Sequence, residues 1–147
     1  MTHLNAGNYA GKHSKSPHLD PRISAALKTV IKDGRLSCSN AHRVAGWLEV
    51  DPADVGIVAD LMEVKVDKCM LGLFGYNSEL PHGKAVNSVQ SVSKELETAI
   101  LDAVEESCIS CSSAWEIASR FGISKMSVAA ACDALKVKIA SCQLGTF

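Results

Sequence analysis

Apolar positions recur at intervals of three and four along most of this chain, the pattern of helices with one buried face. Ile23, Leu27, Val30 and Ile31 form a first stripe. Ala41, Val44, Ala45 and Leu48 form a second, and Val55, Val58, Ala59 and Met62 a third. Asp20-Pro21 and Asp51-Pro52 mark two helix starts, because Asp accepts from free backbone amides and Pro suits the first turn. Asn40 is the expected cap of the helix between them, and Gly34 closes the first. Arg35 to Cys38 reads as a short strand, and Val64 to Phe74 as extended chain. With Asp67-Lys68 as a two-residue turn, Val66 pairs with Cys69 and Val64 with Leu71. All four side chains then share one face of a hairpin.

The same succession occurs a second time. Residues 23–74 align without a gap with residues 96–147, at a constant offset of 73. Ser37-Cys38-Ser39 matches Ser110-Cys111-Ser112, and Val64-Lys65 matches Val137-Lys138. Cys69, Leu71, Gly72 and Phe74 match Cys142, Leu144, Gly145 and Phe147. A repeat fixes the architecture before any single element does. The expected organisation is a flexible tail at 1–19, a first repeat at 20–75, a linker at 76–92 and a second repeat at 93–147. Ser93 caps the opening helix of the second repeat, with Leu96, Ile100, Ala103 and Val104 inward. Ser113 with Glu116 reads as a capping box, and Val137, Ile139, Cys142 and Leu144 share the inner face of its hairpin.

Composition narrows the class. Aromatics are only 5% of the chain, so the cores are aliphatic. Units of about fifty residues are marginal alone and need further burial from each other or from a partner. The net charge of −1 gives no overall field toward nucleic acid or acidic membranes. No run is apolar enough to span a bilayer, and the start of the chain lacks the apolar core of a signal peptide. The expected location is the cytoplasm, where six cysteines serve as thiols or metal ligands rather than disulfides.

Within the second repeat, Ala118, Gly122, Ile123, Ser124 and Val128 stand at helix-turn-helix spacing. A small residue sits at the helix crossing, Gly takes the left-handed end of one helix, and Ser caps the next. Helix, strand, helix, helix, hairpin is the order of a winged helix, and each repeat resembles the winged helix-turn-helix superfamily. The first repeat departs from it at Glu49, which replaces Gly122. The resemblance implies a mainly α fold of two tandem three-helix units, each with a short β-hairpin. It also implies a third helix that enters DNA, starting here at Pro52 and Lys125.

The outward residues of those helices argue for another use. They are Ala53, Asp54, Gly56, Ile57 and Asp60 in the first repeat. In the second they are Lys125, Met126, Ser127, Ala129, Ala130 and Asp133. Base and phosphate contacts need Arg, Lys, Asn or Gln there, and only Lys125 qualifies. Small outward residues let another backbone approach, so Gly56, Ile57, Ala129 and Ala130 are expected at a protein or repeat contact. Any DNA binding would be weak and would draw on Lys12, Lys15, Lys65, Lys68 and Lys138.

The cysteines offer the remaining chemistry. Cys38 and Cys69, and their counterparts Cys111 and Cys142, are expected buried and close within each repeat. The plain account is that cysteine is a small buried hydrophobe. The sharper one is a four-thiol site for zinc or iron–sulfur. Cys108 and Cys111 form a C-x-x-C, with Cys132 and Cys142 further on, but without the second close pair that makes a zinc signature strong. His3, His13 and His18 fall in the expected tail, His42 on a polar helix face and His82 in the linker. No nucleophile–base set, phosphate loop or carboxylate pair stands out. The expectation is a non-catalytic regulatory or adaptor protein without a cofactor, acting through protein contacts or self-association and without a membrane. A DNA-binding transcription regulator and a cysteine-bound metal or redox sensor are the alternatives.

Overall fold

The structure is a computed structural model that describes residues 8–13 and 18–147. It is mainly α. The first repeat runs α1 (Pro21–Val30), β1 (Arg35–Ser37), α2 (Cys38–Leu48), α3 (Pro52–Leu61) and β2 (Lys65–Asp67). The second runs α4 (Lys94–Asp102), β3 (Cys108–Ser110), α5 (Cys111–Phe121), α6 (Lys125–Ala134) and β4 (Lys138–Ala140). Two 3-10 turns, Tyr9–Lys12 and Pro81–Gly83, precede the repeats. Among the described residues no helix is long and apolar enough to cross a membrane.

Every α-helix opens on a side-chain cap. Asp20 accepts from Arg22 N and Asp51 from Ala53 N, each ahead of a proline. Ser93 accepts from Leu96 N, and Ser124 from Ser127 N. Two caps lie earlier than the sequence pattern suggested. Ser37, not Asn40, caps α2 by accepting from Asn40 N at 3.2 Å. Ser110, not Ser113, caps α5 by accepting from Ser113 N at 3.1 Å. In both repeats the last strand residue doubles as the cap, because its extended backbone frees the hydroxyl to reach forward.

The hairpins are absent among the described residues. β1 pairs with β2 in parallel, Leu36 opposite Val66 and Ser37 opposite Asp67. β3 pairs with β4 in parallel, Ile109 opposite Ile139 and Ser110 opposite Ala140. The physical reason is the connection. Two helices separate the paired strands, which returns the chain to the starting end of the first strand, whereas a hairpin needs a tight turn. Asp67-Lys68 makes no such turn, and Lys68 is a bend residue at φ 46° directly after the strand. The tight turn lies elsewhere. Asp33-Gly34, both at positive φ, joins Lys32 to Arg35, and Glu106-Ser107 joins Glu105 to Cys108 in the same way.

The chain divides into two compact units, and the division does not follow the repeats. One unit comprises the chain up to Cys69 together with Gln143–Phe147, and the other comprises Met70–Cys142. The closing segment of each repeat thus belongs to the unit built on the other repeat. In the first unit Ile23, Leu27, Leu36, Ala41, Val44, Val55 and Ala59 are buried. In the second, Ile100, Ile109, Ala114, Ile117, Val128 and Cys132 hold the equivalent core.

Candidate functional site: the outward faces of the third helices

In the first unit α3 buries two faces. Val55, Val58 and Ala59 pack toward the helices of their own repeat. Gly56, on the other side, is also buried. A methyl group on Gly56 would overlap the main-chain carbonyl of Leu144, so glycine is needed here for close backbone approach. Leu144, at 3% exposure, is the buried residue of the strap Gln143–Phe147. Ile57 is half-buried, while Ala53 and Asp54 at the start of the helix are exposed.

One turn beyond Gly56, Asp60 collects polar partners. Its carboxylate lies 2.9 Å from Lys12 Nζ and 2.9 Å from a ring nitrogen of His13. Lys12 Nζ also donates to the Gly145 carbonyl at 3.1 Å. The backbone amides of Tyr9 and Ala10 donate to the two Glu63 carboxylate oxygens, each at 2.8 Å. Free amides at the start of a helical turn favour such an anion. A stretch read as a tail from its polar composition therefore holds a 3-10 turn seated on α3. Lys15 and His3 lie outside the described residues.

The second unit repeats this arrangement with different residues. Asp133 stands where Asp60 does in the repeat, and Lys84 Nζ reaches it at 3.0 Å. The closing segment of the first repeat supplies Gly72, whose carbonyl accepts from Ala85 N at 2.8 Å. A methyl group on Gly72 would press on Val86 and stand 3.4 Å from Met126 of α6. Ala129 and Ala130 are buried, at 2% and 7% exposure, and Lys125 and Met126 are half-buried, with Lys125 over the Trp115 ring. The lysine–aspartate pairs escaped the sequence reading. Their signal is the dipeptide Gly11-Lys12, repeated as Gly83-Lys84 at an offset of 72, one residue short of the repeat.

The thiols fall at one end of each strand pair. Cys38 follows Ser37 directly and Cys69 comes two residues after Asp67. Cys111 and Cys142 follow Ser110 and Ala140 in the same way. Cys38, Cys69 and Cys111 are buried, Cys142 is half-buried rather than buried, and none of the six cysteines is in a disulfide. Among the described residues no three His, Cys, Asp or Glu side chains are grouped to hold a metal ion. Cys132 is held as a thiol, because burial and the Asp133 charge push it up to about 11.

Two other surfaces stand out. An open depression of about 610 Å³ in the second unit brings Glu105, Glu106 and Cys108 beside Ser110, Ser113 and Ser141. On α2 of the first unit Trp47 is 58% exposed, with the Arg43 guanidinium stacked 5.1 Å from the centre of an indole ring. More than half of Trp47 is thus left in solvent. No protein-family model, curated protein or solved structure matches this chain.

Proposed function

We propose that this chain is a non-catalytic, tandem winged-helix-like regulatory or adaptor protein that works through protein contacts. The order helix, strand, helix, helix in each repeat supports the helix-turn-helix part of that relation, while a parallel strand pair stands where the family has its wing. The left-handed Gly122 and the Ser124 cap between α5 and α6 support the same part. The observation that carries the functional reading is the covered face of α3. Gly56 lies under the Leu144 carbonyl, and Asp60 is held by Lys12 and His13. A helix that reads a major groove needs that face open and basic. Here it is closed and centred on a carboxylate, and the lysine nearest to it is already paired.

The partner surface in this reading is the exposed Trp47 with Arg43 stacked on it. Trp and Arg are the residues most often found at the energetic centre of protein interfaces. A photoreactive amino acid placed in cells at the exposed position 46, beside an intact Trp47, is expected to capture a discrete protein, and Trp47→Ala or Arg43→Ala to weaken the capture. In parallel, the purified chain is titrated with a random duplex DNA pool at physiological salt. Weak, unselective binding that fades with added salt fits the proposal. Tight, sequence-selective binding would replace it with the transcription-regulator reading.

A further inference from the structure

We propose that the strap Gln143–Phe147 is exchangeable between chains, so that two copies of this protein dock their straps on each other's α3 and form a closed, swapped dimer. The inference does not depend on the functional reading above. It rests on three observations.

First, the strap is a modular ligand. Its Leu-Gly-x-Phe pattern also closes the first repeat as Leu71, Gly72 and Phe74, and each copy sits in the unit built on the other repeat. Second, its contacts on α3 belong to the strap itself. Leu144 is buried, its carbonyl faces Gly56, and the Gly145 carbonyl accepts from Lys12. A strap from a second copy brings the same groups, so every contact made within one chain is available between two. Third, the connector is strained. Between β4 and the strap stand only Ser141 and Cys142, and Ser141 is held at φ 58°. Lys68 occupies the same place before the other strap, at φ 46°. Short connectors under strain favour exchange, because opening them releases the strain while the docked contacts are kept. Reciprocal docking of two straps on two acceptors closes the assembly at two copies, with no free acceptor left to extend a chain.

The test mixes unlabelled and 15N-labelled full-length protein at high concentration and weighs the species by native mass spectrometry. A dimer of mixed mass that grows with concentration is expected. Gly56→Leu fills the place of the Leu144 carbonyl and is expected to abolish it. Ser141→Gly keeps every docked contact but removes the connector strain, and is expected to shift the population severalfold toward monomer. Monomer alone at every concentration would overturn the proposal. So would a dimer that survives both Gly56→Leu and removal of residues 143–147. Circular dichroism checks the fold of each variant. If Gly56→Leu does not fold, Ser141→Gly decides, and an unchanged dimer fraction then overturns the proposal.

Discussion

Lys12 and Asp60 form an ion pair of 2.9 Å on the outward side of α3, and Lys12 also reaches the Gly145 carbonyl at 3.1 Å. One ammonium thus joins the turn before the first repeat, the third helix and the strap from the second repeat. The Asp60 side chain is only 10% exposed, so little water stands ready to replace a lost partner. Lys12→Met is expected to destabilise the first unit by about 1–3 kcal/mol, with His13 offsetting part of the loss. In the second unit Asp133 keeps 43% of its side chain in solvent. Lys84→Met is therefore expected to cost about 0–1 kcal/mol. Urea unfolding of both variants measures the difference, and equal costs would show that burial does not set the strength of the pair.

A second contrast comes from Gly56 and Ala129, which hold the same position in the two repeats. Gly56→Ala must displace the Leu144 carbonyl, with an expected cost of about 1–3 kcal/mol. The helix-propensity gain of alanine would otherwise make this change favourable by about 1 kcal/mol, so the sign of the measured change is itself informative. A stabilised Gly56→Ala variant would mean that the strap does not lie on α3.

The helix starts were legible because each depends on neighbours in sequence. Asp20-Pro21, Asp51-Pro52, Ser93 and Ser124 each bring a cap and a following helix within a few residues. The burial of Val64, Val66, Cys69 and Leu71 was also legible in the first repeat, where all four are buried. Of the matching Val137, Ile139, Cys142 and Leu144, however, only Leu144 is buried and the others are half-buried. The cause of the burial was not legible. Three-residue strands carry too little alternation to name a partner, so Val66 reads equally well opposite Cys69 or opposite Leu36. Segment exchange is hidden for a related reason. Leu71 and Leu144 satisfy the same pattern whichever repeat they pack against. The Asp60 site was obscured by composition, because Lys12 and His13 sit in a stretch with little apolar content.

Cys132 gives the chain a measurable pH dependence. Its thiol is 1% exposed, and burial with the neighbouring Asp133 charge pushes it up from 9.0 to about 11. The folded state therefore keeps this proton to a higher pH than the unfolded state does. The stabilising contribution is complete below about pH 9 and is lost as pH rises through about 11. Urea unfolding across this range is expected to show falling stability, with a shallower fall in Cys132→Ala. Alkylation at pH 8 is expected to spare Cys132 until the protein unfolds. Identical pH profiles for wild type and variant would remove Cys132 from the account.

The ends of α2 and α5 provide a matched pair in which only the backbone differs in comfort. Both helices close on a left-handed residue, Glu49 at φ 54° and Gly122 at φ 64°. The closing geometry is shared. Glu49 N meets the Ala45 and Gly46 carbonyls, and Gly122 N meets those of Ala118 and Ser119. A side chain in this conformation costs about 1–2 kcal/mol, which glycine avoids. Glycine in turn loses about 0.4–1 kcal/mol through its freer unfolded chain. The first term is the larger, so Glu49→Gly is expected to stabilise the first unit by up to about 1 kcal/mol. Gly122→Ala, with no atom near enough to meet the added methyl, is expected to destabilise the second by a similar amount. Opposite signs in thermal unfolding of the two variants are the expected result. A destabilised Glu49→Gly would mean that the Glu49 side chain makes contacts worth more than its backbone strain.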